Sequence, residues 1–284
     1  MTHADDRPVS KIASLSDVAG EYPVVFCDVW GVVHNGVEMH PAAHAALAAA
    51  RRAGSRVVLL TNSPRPGAGV RAQLDALGFT DEAYDEIVTS GDVTRALIEE
   101  APGRVFHIGP ARDVDIFAGL PVERVAEAQA EVVVATGLFD DERETPADYA
   151  QLLARLAERG LPLICANPDI VVHRGDRLIF CAGALARDYE TIGGPVRLAG
   201  KPHLPIYEHA ARRIGLAAGE RLLAIGDGLL TDIAGANAYG ADALLIVAGI
   251  HGDEFGGPEA SPEAVARVLS ERRLSARFCM AALR

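Results

Sequence analysis

The stretch Leu222–Ala236, LLAIGDGLLTDIAGA, decides the fold. Leu222–Ile225 is a short apolar run with strand character, and Thr231–Tyr239 carries a helical pattern. Between them a Gly-rich turn is flanked by Asp227 and Asp232. A strand that runs through a tight turn into a helix is the repeating unit of α/β proteins. In open α/β sheets, ligands bind beyond the carboxyl ends of the strands. Carboxylates placed there are hard oxygen donors, suited to Mg²⁺ held by one or two acids, waters and a phosphate. The plainer alternative is a turn in which Thr231 or Asp232 caps the helix.

The same grammar recurs on both sides. Pro23–Cys27 reads as a buried strand that delivers Asp28 to a Gly-containing loop, FCDVWGVVHNG. Pro41 stands at a favoured first helical position, and the helix runs to Gly54. Arg56–Leu60 is a second strand, followed by Thr61 and Asn62, a helix ending at Gly78, and the strand Glu86–Val88. Residues 93–195 repeat the style with strands at Val105–Ile108, Val132–Ala135 and Pro162–Ala166 and a helix over Pro146–Arg159. After Pro195 the first style resumes, ending with the strand Ala243–Val247 and a helix from Ser261. The pattern is α/β with a parallel sheet.

Composition narrows the function. A chain of 284 residues, 49% hydrophobic, has material for about two domains and is not disordered overall. Its 27 basic and 39 acidic residues give a net charge of −12. That is a poor footprint for nucleic acid, whose backbone calls for a basic stripe. A small anion needs only one local positive pocket. No apolar run approaches the ~18 residues of a membrane span. The first twenty residues carry acids and lack an apolar core, so no secretory signal is expected. The four cysteines form no framework of spacings. The expected compartment is the cytoplasm.

Three further sites hold candidate chemistry. Asp28 follows a strand and offers a carboxylate, or simply ends the strand. Thr61 and Asn62 offer a hydroxyl and an amide to a phosphate oxygen, or form a turn. Lys201, between Gly200 and Pro202, offers a charge to an anion, or is an ordinary surface lysine.

Taken together in this order, the acid, hydroxyl, lysine and acid pair resemble motifs I to IV of the haloacid dehalogenase superfamily of Mg²⁺-dependent phosphohydrolases. LTN at 60–62, TSG at 89–91, ANPD at 166–169, GKP at 200–202, GDGLLTD at 226–232 and AGIHG at 248–252 resemble its class IIA, NagD-like branch. The resemblance covers roughly residues 22 to 255. It implies a Rossmannoid parallel-sheet core, residues 1–92 and 196–284, with an inserted α/β cap of the C2 type, residues 93–195. The 140 positions between Thr61 and Lys201 leave room for such a domain. The resemblance also implies a phosphatase of small phosphorylated metabolites, no nucleic-acid or membrane partner, and association into a homo-oligomer. Asp28 would be the nucleophile and form an aspartyl-phosphate. Mg²⁺ would be bound by Asp28, Asp227 and the backbone carbonyl of Trp30, with Asp232 direct or through a water. Lys201 would offset charge, Thr61 and Asn62 would hold phosphoryl oxygens, and Asn167 and Asp169 would contact substrate.

The pattern breaks at Trp30. The family places a second Asp there as general acid and base, whereas an indole has a single N–H donor and no acid–base function near neutral pH. Such a group typically contributes about 10²–10⁴-fold. His34 and His173 are candidate substitutes, and loop histidines are the plainer reading of both. Two alternatives stay open: a module that binds phosphometabolites with little turnover, and a hydrolase of carbon–phosphorus or carbon–halogen bonds. Trp30 itself is either a wall against the substrate or an aromatic packed on its own loop.

Overall fold

The strand Val24–Cys27 is buried at every position, as the centre of a parallel sheet covered on both faces must be. In this computed structural model, which describes residues 8–101, 103–174 and 177–284, it is flanked by Leu222–Gly226 and Arg56–Thr61. Cys27 pairs with Ile225 on one side and Leu59 on the other. The full order is Ser10–Lys11, Phe278–Met280, Asp242–Ile246, Leu222–Gly226, Val24–Cys27, Arg56–Thr61, Glu86–Thr89. The chain therefore grows outward from Val24–Cys27 in one direction and later resumes on its other side. That makes the gap between Val24–Cys27 and Leu222–Gly226 the topological switch point, where such sheets bind ligands. The helix Pro41–Arg52 starts with proline at its first turn and buries Ala43, Leu47, Ala48 and Ala50. Ser261 caps Pro262–Glu271 through a bond from the Ala264 amide.

A second sheet has the order Val196–Leu198, Leu163–Cys165, Val132–Ala135, Arg104–Ile108, Glu123–Arg124, all parallel. An antiparallel hairpin, Val171–Arg174 with Arg177–Phe180, stands apart from it. The helices Ala150–Glu158 and Ala182–Thr191 supply Leu153, Leu156, Leu185 and Tyr189 to this sheet's core. Thr89 and Asp92 close a capping box on the helix Ser90–Glu99.

The chain divides into two compact units. The first comprises residues up to Thr61, Arg71–Val88 and Tyr207–Arg284; the second, Asn62–Val70 and Thr89–Ile206. These bounds differ from the expected 1–92, 93–195 and 196–284 for physical reasons. Val196–Leu198 hydrogen-bonds along Leu163–Cys165, so the second sheet ends three residues after Pro195. The Gly91 amide donates to the Ser63 carbonyl, so the segment after Thr61 and the helix at Ser90 belong with the second unit. Residues 1–7, 102, 175 and 176 of the expected domains lie outside the described residues.

Candidate active site

The first unit gathers three acids at its switch point. The Asp28 amide donates to the Ile225 carbonyl at 2.8 Å, extending the strand pairing one residue past Cys27. Asp227 follows Gly226, and its Oδ2 accepts from the Ile250 amide at 2.8 Å. The wide turn Leu229–Ile233 brings Asp232 back, where its Oδ2 accepts from the Gly228 amide at 2.9 Å. One carboxylate oxygen from each of Asp28, Asp227 and Asp232 lies within 4.8 Å of the others. The three are 8%, 6% and 5% exposed. Among the described residues this is the one group of three or more metal-ligating side chains so placed. Like charges this close and this dry call for a cation, and an all-oxygen donor set fits Mg²⁺. Glycines form the cradle: a Cβ on Gly226 would stand 2.1 Å from the Asp232 Cγ, and one on Gly249 2.1 Å from the Asp227 Cβ. Thr61, buried, ends the neighbouring strand two residues past the Leu59 that pairs with Cys27.

The loop after Asp28 packs on itself. Isolated pairings join Trp30 to His34 and His34 to Met39. The indole meets the His34 ring edge to face, with centroids 4.9 Å apart. It also lies over Gly36, whose φ is +89° and where a Cβ would stand 2.6 Å from Trp30 Cζ2. Trp30 thus packs against its own loop. His34 is buried, and its Nδ1 accepts from the Gly36 amide at 2.9 Å. Burial, with a smaller effect from His40, depresses its pKa to about 4. At neutral pH the ring is a neutral Nε2–H imidazole with its lone pair engaged. On this geometry His34 ties the loop to itself through Gly36.

The second unit assembles its own cluster where its strands end. Asn62 Oδ1 accepts from the Lys201 amide at 2.7 Å, while Nδ2 donates to the Lys201 carbonyl at 3.1 Å and to Asp169 Oδ1 at 2.9 Å. Asn167 Oδ1 accepts from the Asp169 amide at 3.0 Å, the turn expected of Asn-Pro-Asp. Asn62, Asn167 and Lys201 are buried. Sequence reading offered Asn62 to phosphate; both N–H groups of its side chain are instead given to protein. His173 sits in an exposed position of a hairpin strand, not in a loop.

Nearby, His107 Nε2 and Thr136 Oγ1 are 2.9 Å apart, and Thr136 in turn bonds the buried Asp113. Burial, then the charge of Arg124, depresses His107 to about 4. All four cysteines are buried free thiols, and burial pushes Cys165 up to about 12. Sequence reading missed the supporting glycines. AGIHG held Gly249 and Ile250 in plain view, but an amide donor has no side-chain signature.

The haloacid dehalogenase-like hydrolase profile matches residues 25–123, and a HAD-hydrolase-like profile matches 198–272. A crystal structure of a hydrolase of the haloacid dehalogenase-like family from Brucella suis 1330 is 49% identical, with a TM-score of 0.88 over 96% of this chain and 100% of that one. The chain belongs to the haloacid dehalogenase-like hydrolase family, with its parallel-sheet α/β core. The D-glycerol 3-phosphate phosphatase of Mycobacterium tuberculosis is 29% identical over 245 residues, 84% of this chain. This chain spans 66% of that protein's length. NagD from E. coli K-12 shares the fold, with a TM-score of 0.68, 21% identity, and coverage of 92% and 96%. No helix among the described residues is long and apolar enough to cross a membrane.

Proposed function

We propose that this protein is a metal-dependent phosphatase of small phosphorylated metabolites, working through an aspartyl-phosphate on Asp28. The observation that carries this reading is the convergence of Asp28, Asp227 and Asp232, buried, at the switch point of a parallel sheet. The glycerol phosphate phosphatase named above supports the substrate class.

Asp28 attacks phosphorus, the leaving alkoxide departs, and water then cleaves the acyl phosphate to return Asp28 and release phosphate. Positioning and charge neutralisation supply most of the acceleration in such transfers. Asp28, Asp227, Asp232 and the Trp30 carbonyl would hold Mg²⁺, which supplies neutralising charge for the carboxylates and phosphoryl oxygens. By the family resemblance, Lys201 would add a second positive charge, and the Thr61 hydroxyl would donate to a phosphoryl oxygen. Trp30 and His34 hand no proton to the leaving oxygen. Aryl phosphates, whose leaving groups need no acid, should therefore outpace alkyl phosphates by roughly 10²-fold or more.

The test is Mg²⁺-dependent phosphate release from an aryl and an alkyl phosphate, with Asp28→Asn as control. Aryl turnover that vanishes in the control supports the reading. The packing of Trp30 and His34 favours one rival, a module that binds phosphometabolites and turns them over little. Mg²⁺-dependent phosphate binding with no release from either ester, and unchanged chemistry in Asp28→Asn, would establish that rival.

A further inference from the structure

Asn62 spends its side chain in an unusual way. Its one carboxamide joins two loops that lie 107 and 139 positions away along the chain. Toward Lys201 it acts twice, accepting from the amide and donating to the carbonyl of the same residue. Toward Asp169 it acts once, and that bond ends on a carboxylate, the stronger kind. A carboxamide alone among short side chains carries a planar acceptor and two donors. Aspartate would lose both donations, and leucine all three bonds.

The packing leaves this amide little room. Gly200 lies directly against it: a Cβ there would stand 2.3 Å from Asn62 Oδ1 and 2.8 Å from Pro168 Cδ. The peptide groups on both sides of the Lys201 Cα are thus tied to one rigid plane. Fixing both fixes the direction in which the lysine side chain leaves the backbone.

We propose that Asn62 is a positioning residue that aims Lys201 and makes that aim conditional on Asp169. The inference rests on the phosphatase reading, in which Lys201 neutralises transition-state charge. Asn62 contributes through the lysine rather than by holding phosphate with its own side chain. Displacing Asp169 removes one of the three bonds and loosens the plane that holds Lys201. The Asn-Pro-Asp turn and the lysine then respond as one unit.

The experiment is a reciprocal exchange: Asn62→Asp, Asp169→Asn and the double variant, each measured for kcat and KM on an aryl phosphate and for Tm. Asn62→Asp sets a carboxylate against a carboxylate and frees the Lys201 carbonyl. Its kcat should fall about 10²-fold, the cost of a ~1 Å misplacement. Asp169→Asn keeps an acceptor for Asn62 and should fall less than about tenfold. In the double variant the donor and acceptor trade places, and kcat should recover at least about tenfold over Asn62→Asp. Recovery of kcat in variants folded at the assay temperature supports the proposal. A double variant no better than Asn62→Asp overturns it, as does a folded Asn62→Asp enzyme with wild-type kcat. Should the wild type release no phosphate at all, the phosphatase reading fails by itself. The Tm cycle then decides for the clamp: recovery in the double variant supports it, and additive losses overturn it.

Discussion

Gly249→Ala tests whether the backbone around Asp227 is shaped by that carboxylate. A Cβ at 249 would stand 2.1 Å from Asp227 Cβ and Oδ2 and 2.4 Å from Cγ, whereas ordinary contact begins near 3.4 Å. Relief requires a shift of about 1.3 Å, taken by Asp227 or by the segment that carries Ile250. The first moves a carboxylate out of the triad. The second breaks the 2.8 Å bond from the Ile250 amide. Either way the triad loses its geometry, and misplacement on this scale costs about 10²-fold. Overpacking should also cost about 1–3 kcal/mol of global stability. Calorimetric titration with Mg²⁺ reads the effect directly, with Tm measured beside it. Gly20→Ala is the control, since a Cβ there meets nothing within 4 Å. The expected result is Mg²⁺ affinity about 10²-fold weaker in Gly249→Ala and unchanged in the control. Affinity within about threefold of wild type would refute the reasoning, because the carboxylate would then have tolerated the displacement.

Trp30→Asp removes the ring from Gly36 and His34 and puts a carboxylate two residues after Asp28; alkyl phosphate turnover should rise about 10²-fold relative to aryl. An unchanged ratio would show that the proton comes from elsewhere. His107, depressed to about 4 against an ordinary value of 6.5, stays neutral in the fold while the unfolded chain takes up a proton. Its contribution is therefore complete above pH 6.5 and lost as pH falls toward 4, about 2 kcal/mol by pH 5. Comparing urea unfolding of wild type and His107→Gln at pH 7.5 and 5 checks this; an equal difference at both values would refute it. Among the described residues the buried Ser90 hydroxyl has no hydrogen-bond partner. Ser90→Ala should then raise stability by about 1 kcal/mol; a clear loss in denaturant titration would mean the hydroxyl has a partner.

The buried strands of the first sheet were legible because they are continuous apolar runs. Val24–Cys27 and Leu222–Gly226 could be read within a residue, and each delivered its acid to the correct end. The short elements were not. Val196–Leu198 has alternating exposure and three residues, and its place is fixed by Leu163–Cys165, which no local pattern records. The hairpin at Val171–Arg174 follows a turn signal that also reads as plain loop. At the site, the family resemblance nominated Asp28, Asp227 and Asp232, and the three carboxylates lie together. Residue type said less about Asn62, since an amide serves a phosphate or a backbone equally well, and only the three-dimensional neighbours choose. Trp30 was legible as a departure, but its direction depended on Gly36, six residues away, having no side chain.

The chain's one tryptophan is therefore also an optical instrument. It stands two residues from Asp28, and its indole touches a glycine and an imidazole of the same loop. All indole emission from this protein originates at that single place. A colour or intensity change on adding cation or ester would report on this loop without any label. Protonated imidazole quenches indole, so acidification would be visible through the same window. The substitution that complicates the chemistry makes the site observable in real time.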